Sequence, residues 1–153
     1  MHQPLSRRSL IGLLAAGAAA PLFAAAPRPA PVTMYRSPTC GCCLNWTPHV
    51  ERALGRPVVV RDVPDVFAVK ARLGVPDDLR SCHTAVVDGL VVEGHVPPAD
   101  ILRTLRARAG TKGIAVPGMP MGSPGMEHGD HKEAYETILF DKFGKSRVFA
   151  SHK

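Results

Sequence analysis

The sequence predicts an α/β fold with the element order β-α-β-α-β-β-α, and three observations carry that prediction. Short runs of β-branched residues alternate with stretches of helical periodicity. Asp88-Gly89 joins two apolar runs as a tight hairpin. Three cysteines packed into four residues, Cys40-Gly41-Cys42-Cys43, fall where the first strand gives way to the first helix.

Taken in order, Val32-Thr33-Met34-Tyr35-Arg36 reads as the first strand, broken by Ser37-Pro38-Thr39. From Cys43 to Leu54 the apolar residues Trp46, Val50, Ala53 and Leu54 recur at helical spacing, and Gly55 supplies a stop. Pro48 lies inside this run, so the helix either bends there or begins later. Val58 to Val63 is nearly all apolar and predicts a central strand. Asp65 caps a short helix through Val66, Val69 and Leu73, ended by Gly74 and Pro76. The hairpin strands are Thr84 to Val87 and Leu90 to Glu93. Pro97-Pro98-Ala99-Asp100 opens a third helix with Ile101, Leu102, Leu105 and Ala109 on one face. Residues 113–126 read as a loop punctuated by proline and glycine, and Tyr135–Phe140 with Ser146–Ala150 as a terminal hairpin extending the sheet. This is the thioredoxin-like arrangement, with the cysteines at a helix N-terminus whose partial positive charge favours thiolates.

The chain of 153 residues divides into an export signal over 1–26, a proline-rich linker over 27–31 and one domain over 32–153. Arg7-Arg8 resembles a twin-arginine signal, and Leu10 to Ala20 is too short for a membrane span of roughly 20 residues. Export follows, with no stable membrane insertion expected after cleavage. The net charge of +6 falls to +4 when Arg7 and Arg8 are removed, and the remaining cations are scattered. With two tyrosines and one tryptophan there is no stacking platform, which excludes nucleic acid as a partner.

Four thiols in an exported chain need an assignment, because free thiolates oxidise or capture metal. Cys40 and Cys43 stand at i, i+3, about 5 Å apart on a first helical turn and so within disulfide range. The adjacent pair Cys42 and Cys43 falls below that range. Whichever bond forms, a thiol of the cluster remains for Cys82 or for another ligand. In a thioredoxin arrangement Ser81-Cys82-His83-Thr84 forms the loop facing the first cysteines, with Thr84 where the redox enzymes carry a cis-proline. Four sulfurs would then converge on a pocket suited to Cu(I) or zinc. Met119, Met121 and Met126 in the late loop favour copper, since zinc binds thioethers poorly. His83, beside Cys82, is the best nitrogen candidate. His49 reads as surface, His95 as a hydrogen-bonding residue, His128 and His131 as part of a polar loop, and His152 as tail.

The motifs Tyr35–Cys43, Ser81–Ala85 and Val116–Glu127, in this order, resemble the CopG-like family of periplasmic copper-resistance proteins, long catalogued as a domain of unknown function. The resemblance spans the whole segment after the signal. It implies a thioredoxin-like fold and Cu(I) held by Cys40, Cys42, Cys43 and Cys82, as a single ion or a multinuclear cluster, with Met119 and Met121 as further ligands. It also implies a role in copper resistance through Cu(I)/Cu(II) interconversion, with copper ions and other periplasmic copper-handling proteins as partners. Two alternatives stand beside it. One is a thiol–disulfide oxidoreductase using Cys40 and Cys43; the other is a structural site stapled by zinc or disulfides.

Overall fold

The computed structural model describes residues 29–153, so the proposed export signal lies outside the described residues. The order of elements is β1 (Val32–Arg36), α1 (Cys42–Leu54), β2 (Val58–Asp62), α2 (Val66–Leu73), a 3-10 turn (Asp77–Leu79), β3 (His83–Val87), β4 (Leu90–Glu93), α3 (Pro98–Arg106), β5 (Gly113–Ala115), β6 (Tyr135–Phe140) and β7 (Ser146–His152). One seven-stranded sheet results, in the order β2-β1-β3-β4-β5-β6-β7. β1 pairs parallel with β2 through the α1 crossover, β3 and β4 form the antiparallel hairpin, and β6 and β7 extend the sheet as expected. Among the described residues no helix is long and apolar enough to cross a membrane.

Strand alternation divides the core. Met34, Ala85, Val87, Val92 and Ile114 face α1 and α3, where Trp46, Val50 and Ile101 cover them. Val91, Ala115 and Phe140 face the opposite way, toward Val75, Leu79 and Leu73 at the end of α2. The β3–β4 turn takes positive φ at both Asp88 (50°) and Gly89 (78°), the geometry a two-residue hairpin demands. Asp65 caps α2 by accepting from the Ala68 N–H at 2.9 Å.

Four expectations need correction. β2 is an edge strand, not a central one; Val58 and Val60 pack against the core beside α1, but among the described residues no strand pairs with the far side. Gly113-Ile114-Ala115 is a strand parallel to β4, too short to show alternation in the sequence. Gly113 is required there, because a Cβ would come within 2.2 Å of the Phe140 ring. Ala109 lies beyond the end of α3, whose buried positions are Asp100, Ile101 and Thr104. His152 belongs to β7, stacked on Tyr135 and 2.8 Å from Asp100 Oδ2.

Pro48 leaves α1 unbroken and starting at Cys42. Proline has no N–H for the Leu44 carbonyl one turn back; the Thr47 hydroxyl donates to that carbonyl instead, at 2.9 Å. Restoring the amide should therefore help. Pro48→Ala is expected to raise the unfolding free energy by about 2 kcal/mol in urea titrations, and Thr47→Val to lower it by about 1 kcal/mol only while Pro48 is present.

Candidate metal centre

The sheet register builds the centre. β1 and β3 run antiparallel with Arg36 opposite His83. The residues just after β1 and just before β3 are thereby neighbours, and those residues carry the cysteines. Sγ atoms of Cys40, Cys42, Cys43 and Cys82 all lie within 4.8 Å of one another. The Cys42 sulfur is 3.6 Å from that of Cys40 and 4.0 Å from the Met119 thioether. Cys40 and Cys43 are joined in a disulfide across 5.8 Å between Cα atoms, leaving Cys42 and Cys82 as free thiols.

Each sulfur is held from its own side. Arg36, anchored to Asp62 at 2.8 Å, donates to the Cys40 carbonyl at 2.6 Å. Gly41 caps α1 without a side chain, and no acidic residue occupies the first turn. The unpaired amides at the start of the helix thus face Cys42 and Cys43 with no carboxylate beside them. At the Cys82 thiol, burial and then the nearby Cys42 push the pKa up to about 12. Soft metal ions overcome such a penalty where protons do not leave unaided.

Two imidazoles meet Cys82 at 3.2 Å each, His83 through Nδ1 and His95 through Nε2. The Pro124 carbonyl, 2.8 Å from His95 Nδ1, can only accept. His95 therefore carries its proton on Nδ1 and turns a lone pair toward the sulfur, the arrangement typical of metal-ligating histidines. If the Cys82 proton goes to that lone pair, His83 meets the sulfur with Nδ1–H, and its buried Nε2 is left without a partner. Burial holds both rings below the ordinary histidine pKa, His83 strongly, so both are neutral donors. Cys82, His83 and His95 form a second convergent set around the shared sulfur.

A buried ion pair braces this arrangement from behind. Lys70 Nζ lies 2.6 Å from Glu93 Oε1 and 3.1 Å from the Thr84 hydroxyl, and both charged side chains are fully buried. Thr84 donates to Glu93 Oε2 and the Ser81 N–H to Glu93 Oε1, each at 2.6 Å. Thr84 thus points to the α2 face as part of β3, not into the loop that faces the cysteines. The Ser81 hydroxyl continues the chain of contacts to the Gly118 carbonyl. Loop 116–127 folds back over α1, so closely at Gly125 that a Cβ would lie 2.6 Å from the Trp46 nitrogen. His49 pairs with Glu127 of that loop at 3.2 Å.

The structure therefore brings Cys40, Cys42, Cys43, Cys82, His83 and Met119 to one place. Met121 is held by its backbone to Glu133, donating to the carboxylate and accepting from the Glu133 N–H, each at 2.9 Å. His128 and His131 are exposed and pair with each other across a β-bridge. Lys70 and Glu93 escaped the sequence reading, while His95, read as a hydrogen-bonding residue, makes its bonds to Pro124 and Cys82. The close approach of Gly94 to Ser81 is what brings His95 onto Cys82, since a Cβ at 94 would meet the Ser81 hydroxyl at 2.4 Å.

A family model described as "Protein of unknown function, DUF411" matches residues 79–126. Two solved structures match nearly the whole described chain, both titled as the copper resistance protein CopG. Form 1 is 50% identical, with a TM-score of 0.75, over 81% of this chain and 98% of its own. Form 2 is 50% identical, with a TM-score of 0.76, over 82% of this chain and 99% of its own. Comparison with curated proteins gives no match.

The Lys70–Glu93 pair sets a stability test. Lys70→Met strands a buried carboxylate and is expected to lower the unfolding free energy by about 3–5 kcal/mol. Combining it with Glu93→Gln, which keeps an acceptor for Ser81, should recover part of that loss in the same denaturant titration.

Proposed function

The chain belongs to the CopG copper-resistance family, and on that premise we propose that it is an exported periplasmic protein that binds Cu(I) through Cys40, Cys42, Cys43 and Cys82. Its role is copper resistance. The observation that carries this reading is the convergence of the lone Cys82 with the early trio, all four sulfurs within 4.8 Å. A donor set of thiolates, a thioether and neutral imidazoles suits Cu(I) better than any hard cation. Met119 at 4.0 Å from Cys42 favours copper over zinc, which takes thioethers poorly. Four thiolates this close repel one another, and bridging by more than one Cu(I) relieves that repulsion; a multinuclear site fits better than a single ion.

The Cys40–Cys43 disulfide gives the site two states. Oxidised, it offers Cys42 and Cys82 as thiol ligands; reduced, it offers all four. Closing two thiols into the disulfide releases two electrons and two protons, and two Cu(II) ions take up the two electrons on becoming Cu(I). The same pair can therefore give electrons to its cargo, which favours Cu(I)/Cu(II) interconversion. The disulfide also favours the second reading, a thiol–disulfide oxidoreductase, with half-buried Cys40 rather than fully buried Cys43 as the sulfur open to attack.

Anaerobic Cu(I) titration against a chromophoric competitor separates these readings. The reduced protein should bind more copper than the oxidised one, and Cys82→Ser should weaken binding by about tenfold or more. Binding no tighter than a simple dithiol, indifferent to Cys82→Ser and accompanied by insulin reduction lost in Cys40→Ser, would establish the oxidoreductase instead.

A further inference from the structure

The end of the sheet opposite the cysteines carries a second organised surface. The strand registers place the starts of β1, β2, β4, β5 and β7 and the ends of β3 and β6 along that end. The β6–β7 turn projects from it. Asp141 Oδ1 accepts from the Phe143 and Lys145 amides at 2.8 and 3.0 Å, and the Asp141 N–H donates to the Lys145 carbonyl at 3.0 Å. A turn so fully bonded holds its tip in place, and the tip is Phe143, 82% exposed.

A single exposed aromatic residue is unremarkable on a protein surface. Its surroundings are less ordinary. Lys142 Nζ lies 4.9 Å from the centre of the Phe143 ring. Two adjoining depressions of about 290 and 440 Å³ separate the turn from the α3–β5 connection, and Lys112, Lys142, Lys145 and Arg147 line them. None of these four cations forms an ion pair among the described residues. The one carboxylate lining the depressions, Asp141, is occupied by the turn amides.

We propose that this end docks reversibly on an anionic phospholipid surface, with Phe143 entering the boundary between headgroups and acyl chains and the four cations meeting the phosphates. An aromatic tip beside unpaired cations has the composition of an interfacial anchor. A lipid surface accepts a protruding ring without a shaped socket, whereas an acidic protein partner would need one. The chain also enters the domain at this end: Arg56 donates to the Ala30 carbonyl and pairs with Asp88 of the β3–β4 turn. Docked in this way, the protein turns its sulfur centre away from the membrane. The proposal goes beyond copper binding and is tested without copper.

Vesicle co-flotation of the copper-free exported protein, recovered from the periplasmic fraction, provides the test. Vesicles of mixed phosphatidylglycerol and phosphatidylcholine should carry the protein at low salt and release it as salt rises; pure phosphatidylcholine vesicles should not. Lys142→Gln and Lys145→Gln should each lower partitioning about fivefold, and Phe143→Ser should lower it further. Arg61→Gln, removing a charge at the cysteine end, should change nothing. Phe143→Trp should show a blue-shifted emission on the anionic vesicles. Absence of partitioning, equal partitioning onto neutral vesicles, indifference to the substitutions at 142, 143 and 145, or binding to acidic proteins alone would overturn the proposal.

Discussion

The pairing of Arg36 with His83 across β1 and β3 is the constraint on which the centre depends. Those two residues end one strand and begin its antiparallel neighbour, so whatever follows the first must meet whatever precedes the second. A slip of one residue would send His83 to the α2 face and Thr84 to the cysteine face. Two independent networks hold the register. On one face Trp46 packs on His83 at 4.8 Å between ring centroids and donates to the Val96 carbonyl at 3.0 Å. On the other, Lys70 and Glu93 grip Thr84 and Ser81. A lysine and a glutamate fully enclosed in a small domain carry a large desolvation cost. Here the hydrogen bonds to Ser81 and Thr84 satisfy the carboxylate and tie that cost to one placement of Cys82.

Electrostatics then divides the sulfurs into two kinds. Cys42 and Cys43 sit at the bare positive end of α1, whereas Cys82 sits among neutral rings under half-buried cover. Burial in the second environment raises the cost of a thiolate at Cys82. Loop 116–127 closes the arrangement from above, presenting Met119 while half of that side chain remains exposed.

Much of this was legible from residue order. The cysteine trio, the strand before it and the helix after it follow from spacing and propensity, and the facing position of Cys82 follows from the topology those elements imply. Asp88-Gly89 announced its hairpin through two residues that tolerate positive φ. What stayed hidden required contacts between distant parts of the chain. Lys70 reads as surface on any helix, and only Glu93 on a neighbouring strand explains its burial. His95 reads as the end of a strand; its approach to Cys82 depends on Gly94 passing against Ser81 without a Cβ. Val58 to Val60 suggested a central strand because half-buried and enclosed valines look alike in sequence. Gly113-Ile114-Ala115 was too short to announce itself, and Thr47 gave no sign that it would stand in for the amide missing at Pro48.

The central claim is that copper, when bound, lies among these sulfurs, and X-ray absorption at the copper edge reads that directly. The reduced, copper-loaded protein should give a Cu(I) edge and a first shell dominated by sulfur, losing sulfur in Cys82→Ser. A first shell of nitrogen and oxygen, unchanged by that substitution, would place the metal elsewhere and contradict the account.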